Sequence, residues 1–211
     1  MGNHNSTVTD LEIASLIEPY TEFLLPNYGG LTVSGGEPLL QPDFVASLFR
    51  RAHEMGITTC LDTACHGTEE DWEKVLKEAD FVMLCLKGMN NEVASKVARH
   101  PPRFMAQAKA FARYICENHS EHTKLTLRWV LLKDVTDVKE ELDSLIDFAM
   151  ELGPVLSHIE LIPYHELGRS KYDDLDIEYA MSCAEPYDQD NARNVQHRLE
   201  SAGLKVTLAL T

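Results

Sequence analysis

Two hydrophobic periods alternate along this chain. Leu31-Thr32-Val33 is short and β-prone and runs into Gly35-Gly36. Residues Gln41 to Met55 then place Phe44, Val45, Leu48 and Phe49 at helical spacing on one face. The same alternation continues. Strands are predicted at Ile57 to Asp62, Phe81 to Lys87, Leu125 to Leu132, Ile159 to Tyr164 and Lys205 to Leu210. Helices are predicted at Thr68 to Lys77, Arg103 to Glu117, Val138 to Leu152 and Asn191 to Ser201. Thr68 suits an N-cap, with acids in the turn that follows. Near-continuous apolar strands between helices predict parallel pairing under helical cover on at least one face. Regular alternation without a sheet reversal predicts an α/β partial parallel (β/α) barrel rather than a doubly wound sheet. Asp10 to Leu25 reads as a helix lying ahead of the first visible strand. A parallel β–α unit begins with a strand, so the barrel is expected to be N-terminally incomplete. One domain over residues 1–211 is expected, with 10–25 as its leading helix.

Composition narrows the function classes. The 211 residues are 44% hydrophobic and 25% charged, the profile of a globular protein with a substantial core. Acids outnumber bases 34 to 19, for a formal charge of -15, which repels phosphate backbones and argues against nucleic acid as a partner. No apolar run approaches the roughly 20 residues of a membrane span. The opening, Met1 to Asp10, is polar and lacks the pattern of a secretory signal. Five cysteines, an odd number, in a core-rich chain point to reduced thiols and a cytoplasmic setting, with an organelle left open.

In parallel β/α barrels the chemistry sits at the C-terminal ends of the strands. Those ends read Ser34-Gly35-Gly36-Glu37, then Asp62-Thr63, then Cys85-Leu86-Lys87, then Arg128, then Tyr164-His165. Each has a plain structural reading. Two glycines can make a tight turn, Asp62 can cap, Lys87 can be a solvated tip, and His165 alone is more often structural. Arg128 within a strand is costly unless paired. A convergent set of Glu, Asp, Lys, Arg and His at strand exits is nevertheless a site hypothesis.

Taken in order, four segments resemble one family. Gly29 to Gln41, reading GGLTVSGGEPLLQ, is similar to the glycine-rich S-adenosylmethionine loop of pyruvate formate-lyase activating enzymes, which are radical S-adenosylmethionine proteins. Thr59-Cys60-Leu61-Asp62-Thr63 follows as that family's next strand does, and Phe81 to Lys87 resembles its strand ending in Asp-Leu-Lys. Ile159 to Gly168, IELIPYHELG, is close to a signature of the same enzymes. The resemblance implies a radical S-adenosylmethionine partial barrel. It implies that the backbone at Gly35 and Gly36 and the Glu37 carboxylate receive the methionine ammonium. Cys85, Leu86, Lys87, Arg128 and His165 match positions lining the cofactor and substrate-peptide site. Asp62, Thr63 and Met83 match oxygen ligands of a monovalent cation beside the cofactor, and Asp62 also lies with the cofactor-binding set. The family reaction is reductive cleavage of S-adenosylmethionine at a 4Fe-4S cluster, followed by hydrogen abstraction from a backbone glycine of a partner enzyme. The implied partners are a glycyl-radical enzyme such as pyruvate formate-lyase and an electron donor such as flavodoxin or ferredoxin.

The departures are equally specific. The family's CxxxCxxC cluster loop does not occur, and the iron–sulfur ligands it supplies are absent from this chain. A cluster rebuilt from Cys65, Cys85 and a third thiol is a minor reading. Cys85 stands where the family has aspartate, and Cys65-His66 where it has Asn-Gly. Three readings stay open: an activase lineage with an incomplete chain, a non-catalytic module binding S-adenosylmethionine or the partner, and an unrelated barrel enzyme using Lys87 as an aldolase-type amine. The IELIPYHELG segment argues against the third.

Overall fold

The computed structural model describes residues 7–98, 103–168 and 184–209. Six strands form one sheet in the order β1 to β6, namely Gly30–Val33, Thr58–Thr63, Phe81–Leu86, Lys124–Leu131, Leu156–Pro163 and Val206–Leu208. The sheet is open, with β1 and β6 at its edges. Contacts within the chain group into two compact units, one of Met1–Val82 with Glu121–Thr123, the other of the remaining residues. Among the described residues, no helix is long and apolar enough to cross a membrane.

In the first unit β1 and β2 pair in parallel, Gly30 opposite Thr58 and Val33 opposite Leu61. The helix that joins them, α2 (Pro42–Glu54; α1 is Asp10–Ile17), packs on both strands. Pro42 opens α2, where a missing N–H costs nothing, and Arg51 and His53 favour its C-terminal dipole. Its apolar face buries Val45, Leu48 and Phe49. A Thr68–Asp71 capping box starts α3 (Glu69–Leu76), which packs on α2 through an apolar face that includes Trp72 and Val75. At the start of β2, Asp80 accepts the Thr59 amide at 2.8 Å and faces His53 Nε2 at 3.0 Å. These groups lie at the strands' N-terminal ends, the side that serves stability in such folds.

The expected helix over Asp10 to Leu25 is broken. α1 ends at Ile17, and 3-10 turns at Glu18–Tyr20 and Leu25–Asn27 flank a single helical turn, Thr21–Leu24. Pro19 and Pro26 explain the breaks, because each removes an amide donor and crowds the preceding turn. α1 is fixed to α2 by Asp10, which accepts from Ser47 Oγ at 2.7 Å and Arg51 Nε at 2.5 Å.

In the second unit β4, β5 and β6 are parallel, Arg128 opposite Glu160 and Glu160 opposite Thr207. Strand residues alternate. Leu125, Leu127, Trp129 and Leu131 are buried, while Thr126, Arg128 and Val130 are half-buried. One face therefore makes the core, and the other carries polar groups at intermediate exposure. Among its described residues are the helices α4 (Asn91–Ala98), α5 (Phe104–Asn118), α6 (Lys139–Leu152) and α7 (Gln189–Ser201). Gly153, at φ 59, ends α6 in a conformation that glycine takes without strain. Sequence reading missed α4, an eight-residue helix.

Candidate functional site

Two clasps bracket the glycine pair in the first unit. Before it, Ser34 Oγ donates to Asp62 at 2.9 Å, joining the ends of β1 and β2. After it, the Glu37 carboxylate accepts three hydrogen bonds: from the Thr63 hydroxyl at 2.5 Å, the Ala64 amide at 2.8 Å and the Leu39 amide at 3.1 Å. The last makes Glu37 the cap of the 3-10 turn Pro38–Leu40. A carboxylate has about four acceptor sites, so one remains for a ligand. Gly35 sits at φ +120, a region that disfavours any side chain. Gly36 has no such constraint, and a Cβ placed on it would meet nothing within 4 Å. The folded chain by itself therefore gives no reason for glycine at position 36.

Thr63 is buried, and its hydroxyl is committed twice, donating to Glu37 and accepting the Cys65 amide at 2.8 Å. Cys65 takes φ 61, a left-handed conformation costing roughly 1 kcal/mol that Asn or Gly tolerates better. Its thiol is buried, and burial, with the Glu37 charge second, pushes its pKa far above the ordinary range. A thiol held protonated is a poor iron ligand. Among the described residues no group of three or more His, Cys, Asp or Glu is placed to hold a metal ion. Cys183 lies outside the described residues. Reconstituted anaerobically with iron and sulfide, the chain is thus expected to hold no stoichiometric 4Fe-4S cluster. A full-intensity cluster signal in electron paramagnetic resonance, lost on Cys65→Ser, would contradict this.

The second unit holds the other expected residues. Met83 and Cys85 are half-buried on β3, whereas the Leu86 side chain is fully buried in the core, leaving only its backbone for a ligand. Lys87 Nζ donates to Cys85 Sγ at 2.9 Å. Arg128 is paired: its Nε donates to Glu160 at 2.6 Å, across the register that sets the two residues opposite each other. Glu160 was not singled out by sequence reasoning, although the pairing demanded of a strand arginine was the signal. His165 follows β5, is exposed, and accepts the Leu167 amide on Nδ1 at 3.3 Å. The loop after Lys87 is tied down by Glu141 of α6. Its buried carboxylate accepts the Met89 amide and Asn90 Nδ2, both at 2.5 Å. Burial raises the Glu141 pKa, against the pull of those two bonds and of Lys109.

No family model matches the sequence. The chain is 34% identical over 212 residues to the pyruvate formate-lyase 1-activating enzyme of Escherichia coli strain K12, a match covering 97% of this chain and 80% of that protein. In fold it is similar to a crystallised domain of a pyruvate-formate lyase-activating enzyme from Bacteroides vulgatus. That likeness has a TM-score of 0.69 at 22% identity and covers 86% of this chain and 99% of that one. It is also similar to a radical SAM methyltransferase from Sphaerobacter thermophilus, with a TM-score of 0.68 at 16% identity over 97% of this chain and 58% of that one. The expected partial-barrel architecture is thus the architecture found, an open parallel sheet shared with radical SAM enzymes.

Proposed function

The chain belongs to the pyruvate formate-lyase-activating enzyme family, and on that footing we propose that it binds S-adenosylmethionine on the Gly35-Gly36 loop and serves a glycyl-radical enzyme such as pyruvate formate-lyase. In the family's reaction, as the resemblance implies it, the cofactor is cleaved reductively and a hydrogen is taken from a backbone glycine of the partner. The observation that carries the reading is Gly36. It is held between two clasps, has no steric neighbour for a Cβ, and lies in no left-handed conformation. Close approach of a ligand to the backbone is what such a glycine serves. Glu37, with one acceptor site left, suits the methionine ammonium. Asp62, Thr63 and Met83 are proposed on the resemblance as donors for a monovalent cation. The Thr63 hydroxyl is already engaged, which leaves its carbonyl. Lys87, Arg128 and His165 are proposed on the same basis to meet the cofactor or the partner's peptide.

The family's iron–sulfur cluster does not fit the described residues, so electron delivery is assigned to none of them. That favours, as a second reading, a module that binds S-adenosylmethionine or the partner without radical chemistry. The Cys85–Lys87 contact in place of the family's Asp-Leu-Lys adds to it.

The test is calorimetry with S-adenosylmethionine. Gly36→Ala should leave stability within about 0.5 kcal/mol of wild type while weakening binding at least tenfold, roughly 1.4 kcal/mol. Equal affinity in the two proteins would make the loop a turn and remove the reading.

A further inference from the structure

Arg128 and Glu160 are charged residues placed mid-strand, three positions before the ends of β4 and β5. Each alternates with core residues, Leu127 and Trp129 on one strand, Ile159 and Leu161 on the other, so the pair lies on the face away from the core. At about 3.3 Å per residue it sits roughly 10 Å inward from the strand exits. The register extends the row, since Glu160 also stands opposite Thr207 of the edge strand β6. The two side chains are 27% and 28% exposed. Among the described residues only one carboxylate oxygen is used: Oε2 accepts from Arg128 Nε at 2.6 Å, while Oε1 has no partner. An ion pair at this exposure adds little stability, and a strand face favours β-branched side chains instead. Packing therefore gives no reason for the pair. Its chemistry does. The guanidinium cancels the carboxylate's charge, leaving a neutral group with donors on one side and an acceptor on the other. A peptide unit carries the complementary set, one N–H and one C=O. A charged ligand group, carboxylate or ammonium, would meet the like-charged member of the pair and lose much of its attraction.

We propose that Glu160 is a substrate-contacting residue: its Oε1 accepts a backbone N–H of the partner enzyme's polypeptide, while Arg128 holds the carboxylate in place and donates to a carbonyl of the same segment. The inference rests on the reading that this face receives the partner's peptide, and it adds the residue and the group recognised. The cofactor's ribose hydroxyls are neutral donors too. The loop assigned to the cofactor, however, belongs to β1 and β2, and β3 stands between those strands and β4 in the sheet. The peptide is therefore the ligand that the pair suits.

The probe is a blocked, uncharged peptide, acetyl-Ala-Ala-Gly-Ala-Ala-amide, beside the same peptide ending in a free carboxylate. Both are titrated into the full chain with S-adenosylmethionine present and followed by nuclear magnetic resonance. Saturable binding that favours the amide form is expected. Glu160→Gln keeps the side chain's shape but leaves the guanidinium unbalanced. It should weaken the amide form several-fold, strengthen the carboxylate form and so reverse the preference. A residue that merely braces the strands would move both forms alike. The Arg128→Leu, Glu160→Leu double variant, in which apolar side chains replace the pair, should keep its cooperative melt and bind neither form. No saturable binding by the wild type, an unchanged preference in Glu160→Gln, or binding by the folded double variant overturns the proposal. Weaker binding of adenosine alone in Glu160→Gln, with the peptide preference unmoved, gives the carboxylate to the cofactor and overturns it as well. The Gly36→Ala calorimetry decides the cofactor reading separately.

Discussion

Replacing Glu37 by alanine is expected to lower the unfolding free energy by about 2–3 kcal/mol and to weaken S-adenosylmethionine binding at least tenfold. The carboxylate joins the Gly35-Gly36 loop to Thr63 and Ala64 through direct bonds after the glycines. Its loss strands a buried hydroxyl and the backbone amides of Ala64 and Leu39, and a donor left without a partner loses more than the bond itself was worth. Glutamine should cost about half as much, since its oxygen can accept from Thr63 while its NH2 faces the Ala64 amide. Thr63→Val separates support from contact, because it cuts one clasp and leaves the carboxylate in place. If Glu37 only orders the loop, Thr63→Val lowers affinity in proportion to stability. If Glu37 also meets the cofactor's ammonium, Glu37→Gln loses affinity beyond its stability cost. Denaturant titration of all three variants beside calorimetry makes the comparison. Unchanged affinity in Glu37→Ala would sink both roles.

What could be read from the residues, and what could not, divides by the range of the interaction. Period and length reach along a few turns, so the long α5 and α6 and the apolar strands are legible in the sequence alone. Pro19 and Pro26 were visible too, yet the apolar spacing across them suggested one helix where the prolines make several pieces. Pairings between distant residues were the hidden part. Arg128 was recognised as needing a partner, but which acid supplied it depended on the β4–β5 register. The Ser34–Asp62 and Glu37–Thr63 clasps join residues 28 and 26 positions apart. Local spacing carries no signal at that distance; the family resemblance alone implies that those residues serve a common cofactor. Cys65 illustrates the converse. Its place in the Asn-Gly position marked an altered loop, and the left-handed φ shows why Asn or Gly suits that position.

Glu141 bears the second large effect, and nothing in the sequence pattern of α6 marked it. It is only 4% exposed on a helix face otherwise lined by leucine and phenylalanine. Its two acceptor bonds hold Met89 and Asn90, directly after Lys87 and Gly88. Glu141→Ala should cost about 2 kcal/mol at neutral pH, chiefly from the buried Met89 amide left unpaired, since the exposed Asn90 can turn to water, and should speed hydrogen exchange of the Met89 amide. The dependence on pH has a definite sign. Burial raises the folded-state pKa above the unfolded value, so the unfolded chain gives up this proton at lower pH than the folded one. The stabilisation associated with the protonated form is fully present below the unfolded pKa, about 4.3, and is lost as pH rises through the folded pKa. Glu141→Gln removes this titration while keeping the side chain's shape and one acceptor. The stability difference, wild type minus Glu141→Gln, should therefore be largest in acid and shrink toward neutrality. Denaturant melts of the two proteins between about pH 4 and 7 would measure it. A difference that grows with pH would mean that the bonds to Met89 and Asn90 outweigh desolvation and that the carboxylate is held ionised.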